Sequence, residues 1–287
     1  MDAVRSLEIS SAMGVDRAGN LWSWNQTQSS VSRIASDGSH VEAPITTDAR
    51  ALDADPDLGI IVLSQSGRVA RVFDWSGKQI ANVALPEEAG KICWLDDGEF
   101  AVTPLRAAYR VQLFSVRTGL MTGHVGAVPA INPPRAGAVL ARATHVRYDF
   151  ARHELVTFDA YQGELNVFSE KGDVVRHATV AHPDHAATEA WLAQMNANAR
   201  ANGESSSPTV WSYPTMTLTA EGNVLLAENL SSDAHKVTIV NIDRKGVVTR
   251  SVVTNDCASV RLQEWNRNLL FFRDARATRR CVGIRRR

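Results

Sequence analysis

Histidine, tyrosine and arginine side chains are the residue types of this chain that could do chemistry. The segment HPDH brings His182 and His185 together with Asp184, which is the composition of a partial metal site. Two such histidines need further ligands to hold a metal, and His235 in SSDAHK could join them only if the two loops meet. The chain contains no GxSxG elbow, HExxH pair, P-loop or GxGxxG fingerprint. We therefore predict no resident metal or cofactor and assign no catalytic residue.

Composition argues against several classes of partner. The 287 residues carry 31 Lys and Arg against 31 Asp and Glu, so no global field draws the chain to nucleic acid or to an acidic membrane. No apolar run has the length of a membrane span, and charges among the first twenty residues argue against a signal peptide. The expected location is cytoplasmic, or periplasmic or secreted if a leader has been removed. Three widely spaced cysteines without a CxxC pair indicate neither a disulfide framework nor a zinc site: Cys93, Cys257 and Cys281.

The sequence contains a repeated unit, and the fold built from this unit would position the side chains of any site. A strand, a polar turn rich in Asp, Asn or Gly, and a second strand recur six times, beginning near Gly14, Arg50, Lys91, Val146, Met216 and Val260. A second hairpin follows most copies, and its turn carries Gly38, Gly77, Gly119, Gly172 or Gly246, where glycine supplies the positive φ of a tight turn. Four strands per unit and six units predict an all-β, six-bladed β-propeller that forms one domain over residues 1–287.

The two ends of the chain suggest how the ring closes. RRCVGIRRR reads as a third strand with no fourth strand after it, and residues 3–9 within AVRSLEIS read as a strand with nothing before it. Pairing the two would complete the last blade and leave no bare sheet edge. The N-terminal strand is therefore expected to close the propeller, which we expect to be a monomer.

The repeats resemble a known superfamily. GVDRAGNLWSWN and RVFDWSGKQI are similar to strands of the NHL-repeat, gluconolactonase-like and strictosidine-synthase-like six-bladed propellers, and the likeness covers nearly the whole chain. The resemblance implies the fold but not the activity, because such propellers serve as hydrolases, lyases, ligand binders and protein-binding platforms. Related calcium-dependent propellers place Glu, Asp and Asn at the inner-strand starts, where this chain has basic residues. A calcium ion is therefore the minor alternative to having no cofactor.

Two long joints between repeats mark the face where function is expected. Residues 129–144 and 181–212 fall at the same kind of joint, so both insertions should rise from one face, called the top face. AATEAWLAQMNANARANG predicts a helix near residues 184–203 within the longer insertion, begun by Asp184 or Thr188 and ended by Gly203. This helix would act either as a lid or as a plug over the central channel.

The same face should collect positive charge. Arg50, Lys91, His145 and Arg147 lie near the starts of inner strands, and such a cluster at a channel mouth suits a carboxylate or a phosphate. The competing interpretation pairs these arginines with Asp and Glu of neighbouring blades. With the hairpin tips and the insertion, the candidate ligand-binding residues are Arg50, Lys91, Arg106, Tyr109, His145, Arg147, Tyr161, His182, His185, Glu228, His235 and Arg273.

Two functions follow from this pattern. In the first, the protein binds a small anionic molecule, or a protein partner, at the top face. In the alternative, it is a propeller enzyme of hydrolase or lyase type that acts on a small organic substrate, including natural products, with His, Tyr and Arg groups in the channel.

Overall fold

Twenty-three strands and one 3-10 turn make up the part of the chain that the computed structural model describes. The described residues are 12–25, 28–128, 144–160, 162–181, 186, 190, 194, 197–198, 201–202, 213, 215–228, 236–254, 260–265, 268–273 and 282–286. The strands are β1 (Ala12–Val15), β2 (Leu21–Asn25), β3 (Ser30–Ile34), β4 (His40–Pro44), β5 (Ala49–Asp55), β6 (Gly59–Ser64), β7 (Val69–Phe73), β8 (Gln79–Ala84), β9 (Ala89–Trp94), β10 (Glu99–Pro104), β11 (Tyr109–Ser115), β12 (Met121–Ala127), β13 (Thr144–Asp149), β14 (Glu154–Asp159), β15 (Glu164–Phe168), β16 (Val174–Thr179), β17 (Thr215–Leu218), β18 (Val224–Glu228), β19 (Lys236–Ile242), β20 (Val248–Thr254), β21 (Val260–Trp265), β22 (Asn268–Arg273) and β23 (Val282–Arg286); the 3-10 turn is Asp96–Gly98.

The strands form a propeller of antiparallel sheets. Five sheets have four strands each in chain order and are called blades 1 to 5: β1–β4, β5–β8, β9–β12, β13–β16 and β17–β20. A sixth, three-stranded sheet consists of β21, β22 and β23. The first strands of successive sheets contact one another, and β21 contacts both β17 and β1, so these inner strands surround a central channel.

The expectation of six four-stranded blades is therefore wrong. Repeat counting gave the correct order of hairpins, but five of the sheets are four-stranded and the last has three strands among the described residues. The fourth strand of that sheet was assigned to residues 3–9, which lie outside the described part of the chain.

The expected helical insertion must also be corrected, because no α-helix is among the elements formed by the described residues. Described residues with helical backbone in this stretch are 186, 190, 194, 197–198 and 201. One i to i−4 hydrogen bond links described residues there, from the Asn202 N–H to the Asn198 carbonyl at 3.1 Å. Within the described ranges, no helix is long and apolar enough to cross a membrane.

Aspartates at the ends of the inner strands explain the repeated polar turn. Asp16 Oδ1 accepts the backbone N–H groups of Ala18 at 3.0 Å and Asn20 at 2.9 Å. Asp55 and Asp149 do the same for the N–H groups that follow them. Each carboxylate satisfies donors that the reversal of the chain would leave unpaired, which is why the first hairpin recurs with an acidic residue at its turn.

The turn glycines of the second hairpin behave as the sequence predicts. All five have positive φ: Gly38, Gly77, Gly119, Gly172 and Gly246. At Gly77 a side chain would also meet the Pro44 carbonyl oxygen, 2.4 Å from the position of an added Cβ. Glycine is therefore required there both by backbone conformation and by the close approach of blade 1.

The hydrophobic core lies between the blades. Trp22 and Trp24 of blade 1 pack with Leu52 and Ile60 of blade 2, and equivalent clusters join blades 2 and 3, 3 and 4, and 4 and 5. The indole N–H of Trp94 donates to the Gly59 carbonyl at 3.0 Å, so this buried ring also fixes blade 3 on blade 2. The inner strands that border the channel are held rigidly by these contacts.

Candidate functional site

A cavity of about 430 Å³ lies in the central channel. Its walls come from inner strands of blades 1, 2, 4 and 5 and from the turns that follow them, and they include Asp16, Asp53, Arg147, Tyr148, Phe150 and Thr217. The cavity thus lies at the end of the channel where the inner strands finish. The mouth expected from the sequence lies at the other end, where these strands begin.

Arg147 lines this cavity and has fewer hydrogen-bond and ion-pair partners among the described residues than the other arginine of the wall, Arg17. It lies near the middle of β13 and is half-buried, and its Nη1 donates to the Val146 carbonyl at 3.3 Å. Among the described residues, no carboxylate forms an ion pair with it. Two neighbouring arginines differ, since Arg17 pairs with Asp55 at 2.7 Å and Arg152 with Asp149 at 2.9 Å. The guanidinium of Arg147 therefore keeps most of its donors available to the cavity.

Asp53 borders the same cavity from β5 of blade 2. Its Oδ2 accepts the Trp94 N–H at 2.9 Å, and its Oδ1 accepts the Ala54 N–H at 3.0 Å. Burial raises the pKa of this carboxyl above its ordinary value, and the positive charge of Arg147 opposes that rise. Asp53 and Arg147 therefore influence each other across the channel without an ion-pair contact.

His145 is a neutral group that holds two blades together. The ring is buried, and its Nε2 donates to the Tyr213 carbonyl at 2.7 Å, which joins β13 to the segment before β17. Burial, followed by the charge of Lys91, lowers the pKa of His145 to about 3. At neutral pH this imidazole therefore carries no positive charge, and the charges of Lys91 and Arg147 both act on it.

Other candidate residues have structural partners. Arg50 Nη1 lies 2.6 Å from Glu88 Oε1 and donates to the Ala89 carbonyl at 3.0 Å, which ties blade 2 to blade 3. This is the inter-blade pairing that the sequence left open for the basic cluster. Glu228 is buried, accepts the Tyr213 hydroxyl at 3.3 Å and pairs with Arg250 at 3.4 Å.

The remaining candidates lie away from the cavity or outside the described residues. Tyr109 is exposed and its ring lies against His124, with 3.5 Å between the ring centroids and 36° between the ring planes. Arg106 is exposed on a hairpin tip. Tyr161, His182, His185 and His235 are outside the described residues, as is most of both insertions, and only the backbone of Arg273 is described. Among the described candidates, the structure thus brings Lys91, His145 and Arg147 together.

Asp53 was missed by sequence reasoning although a signal was present. It interrupts an inner strand whose neighbours Leu52 and Ala54 are buried in the core between blades 1 and 2. Because side chains alternate along a strand, Asp53 faces the other way, toward blade 3 and the channel. A charged side chain inside an inner strand is unusual. The alternation of side chains along this strand could therefore have identified Asp53 as a residue that faces the channel.

A second polar cluster lies beside the cavity and is exposed. His153 Nδ1 is 2.6 Å from Asp96 Oδ2 and 3.4 Å from Glu170 Oε1, and the Tyr148 hydroxyl donates to Asp96 Oδ2 at 2.7 Å. The hydrogen bond to Asp96 raises the pKa of His153. The three ligand atoms are close enough for one metal ion, but their mutual hydrogen bonds account for the arrangement without one.

Comparisons with known proteins support the propeller fold. Virginiamycin B lyase from Staphylococcus aureus, solved with quinupristin, aligns with 96% of this chain and 83% of its own at 11% identity and a TM-score of 0.57. A member of the DUF4221 family from Bacteroides vulgatus aligns with 97% of this chain and 94% of its own at 8% identity and a TM-score of 0.60. Regucalcin, a calcium-binding protein from Agrobacterium tumefaciens, aligns with 94% and 84% of the two chains at 10% identity and a TM-score of 0.53.

These likenesses define the class of protein by its fold alone. No protein-family model matches the chain, and no curated protein sequence matches it significantly. The neighbours support the propeller architecture that the repeats predicted. They do not assign an activity to this chain, because sequences this different share a fold without sharing a site.

Proposed function

We propose that this protein is a small-molecule-binding propeller whose channel cavity holds an anionic group on Arg147. The supporting observation is a half-buried guanidinium that borders a cavity of about 430 Å³ and has no carboxylate partner in the described part of the chain. A buried or half-buried cation without a counter-ion is costly, and an acidic ligand removes that cost. Carboxylates and phosphates match the planar fork of arginine in charge and in geometry.

A second cation lies near Arg147, since the charges of both Lys91 and Arg147 act on His145. Lys91 thus adds a second positive charge, close enough to affect His145. Charges that act in a narrow, partly dry channel attract an anion more strongly than the same charges in open water.

A binding function has more support than the enzyme alternative, which depends on His, Tyr and Arg groups in the channel. A His base would need a ring nitrogen that reaches a substrate, but His145, the candidate histidine within the described residues, is buried and its Nε2 proton is held by the Tyr213 carbonyl. Neighbouring folds include a lyase, but the likeness is one of architecture. We therefore favour a binding protein.

A thermal-shift screen with acetate, succinate, sulfate and phosphate tests the proposal. A ligand at one hundred times its Kd stabilises a protein by about 2.7 kcal/mol, which for a chain of this length is a rise in Tm of about 4 °C. We expect at least one anion to give a rise of this size in the wild type, and Arg147→Gln to abolish it. Arg68→Gln is the matched control, because Arg68 is exposed and donates only to the Pro86 carbonyl among the described residues. A rise that persists in Arg147→Gln, or no rise with any anion, would contradict the proposal.

A further inference from the structure

Arg147 and Asp53 present opposite chemistry to one cavity. Arg147 reaches it from blade 4 and Asp53 from blade 2. Their charges interact, yet the two side chains form no ion pair. A ligand that fills the space between them would therefore meet hydrogen-bond donors on one wall and an acceptor on the other. This deduction rests on the proposed anion site at Arg147.

Asp53 retains the capacity to accept a further hydrogen bond. Each of its two oxygens receives one backbone N–H, from Trp94 at 2.9 Å and from Ala54 at 3.0 Å. A carboxylate has about four acceptor positions, so about two are left. The two N–H groups also fix the orientation of the carboxyl, so that it is preorganised for a ligand and loses little freedom on binding.

The other charged groups at the cavity wall are already engaged. Asp16 accepts two backbone N–H groups and the side-chain amide of Asn20, Asp149 pairs with Arg152 and Arg17 pairs with Asp55. Recognition of a bifunctional ligand therefore falls to Asp53 and Arg147. The rest of the wall also includes apolar side chains.

An apolar body fits between the two polar groups. Val15, Leu218 and the edge-to-face pair of Tyr148 and Phe150, whose ring centroids are 5.0 Å apart, belong to the same wall. The cavity has the size of ordinary small-molecule pockets, which are mostly apolar and contain a few polar groups that fix orientation.

We propose that the ligand is an organic acid with an apolar body that also carries a hydrogen-bond donor, either a hydroxyl or an ammonium group. Its acidic group binds Arg147, and its donor binds Asp53. Hydroxy acids and amino acids share this chemistry, whereas simple carboxylic acids lack the second group. Simple acids should therefore bind more weakly, because they leave Asp53 desolvated without a new partner.

Three acids that share one skeleton test the inference by isothermal titration calorimetry: 3-phenyllactate, phenylalanine and 3-phenylpropionate. A hydrogen bond to a charged group contributes enough for a difference of about tenfold or more in affinity. We expect 3-phenyllactate or phenylalanine to bind the wild type at least about tenfold more tightly than 3-phenylpropionate. The tighter of the two identifies the donor as hydroxyl or ammonium.

Two variants distinguish the contribution of Asp53 to ligand binding from that of Arg147. Asp53→Asn should reduce this preference to about threefold or less while 3-phenylpropionate still binds, and Arg147→Gln should weaken all three acids by about tenfold or more. Asp57→Asn is the matched control, because Asp57 is exposed and should leave the preference unchanged. Circular dichroism checks that each variant folds. If Asp53→Asn does not fold, the preference of the wild type for the donor-bearing acids over 3-phenylpropionate still tests the inference.

The outcomes distinguish this inference from the proposed function. Equal affinity of the three acids for the wild type overturns the inference, and so does failure of all three to bind. In either case an Arg147-dependent response to acetate, succinate, sulfate or phosphate leaves the proposed anion site standing. A preference for the donor-bearing acids that survives Asp53→Asn intact also overturns the inference.

Discussion

Replacing Arg110 by methionine should destabilise the protein by several kcal/mol, because its guanidinium is the centre of a buried network between blades 3 and 4. Arg110 on β11 hydrogen-bonds Asp159 at the end of β14, Gln162 Oε1 at 3.0 Å and Glu164 Oε2 at 3.1 Å. The side chains of Arg110 and Asp159 are 3% and 0% exposed. Methionine would remove the Arg110 guanidinium from the buried carboxylate of Asp159. Breaking such a pair from one side costs about 3–5 kcal/mol.

Arg244→Met provides a control with the same chemical change at an exposed inter-blade pair. Arg244 lies 2.8 Å from Glu154 Oε2, but its side chain is 42% exposed, so we expect a loss of about 1 kcal/mol or less. At about 0.6 kcal/mol per kelvin for a chain of this length, Arg110→Met should lower Tm by about 7 °C and Arg244→Met by less than about 2 °C. Urea unfolding followed by tryptophan fluorescence measures both free energies. Equal losses in the two variants would refute the argument from burial.

Three further predictions concern titration and backbone conformation. The fold lowers the pKa of His145 from 6.5 to about 3, so the unfolded chain binds more protons between these values, and the free energy of unfolding should fall by up to about 1.4 kcal/mol per unit as the pH drops. Urea unfolding at pH 7, 6 and 5 should show a shallower slope for His145→Gln, and an identical slope would contradict the assignment. Gly19→Ala, with a φ of +79° and open space around it, should cost about 1–2 kcal/mol, whereas Gly59→Ala should cost more because the new Cβ would lie 2.3 Å from a carbonyl oxygen; chemical denaturation that ranks them the other way would be inconsistent with this geometry. NMR titration should give His153 a pKa above 6.5 that falls in Asp96→Asn, and a value that does not respond would remove the hydrogen bond as its cause.

The hairpins were predictable because their causes are local. An aspartate such as Asp16 caps the turn within four residues of itself, and a glycine such as Gly77 supplies a backbone conformation at its own position. Both signals therefore appear in any copy of the repeat. The number of strands in the last sheet was not predictable in this way, since the assignment of residues 3–9 to it depended on contacts between distant parts of the chain.

The role of each charged residue was decided by tertiary structure. Arg50, His145 and Arg147 read alike as basic residues at the starts of inner strands, yet the first pairs with Glu88, the second is neutral and the third borders a cavity. Burial and the partners that neighbouring blades supply determine charge and availability, and neither can be read from local sequence. The sequence by itself determined a propeller of repeated antiparallel hairpins, because turn chemistry and strand alternation act over a few residues. Only the folded ring determined which cation remains available for a ligand, because that depends on side chains that meet across blades.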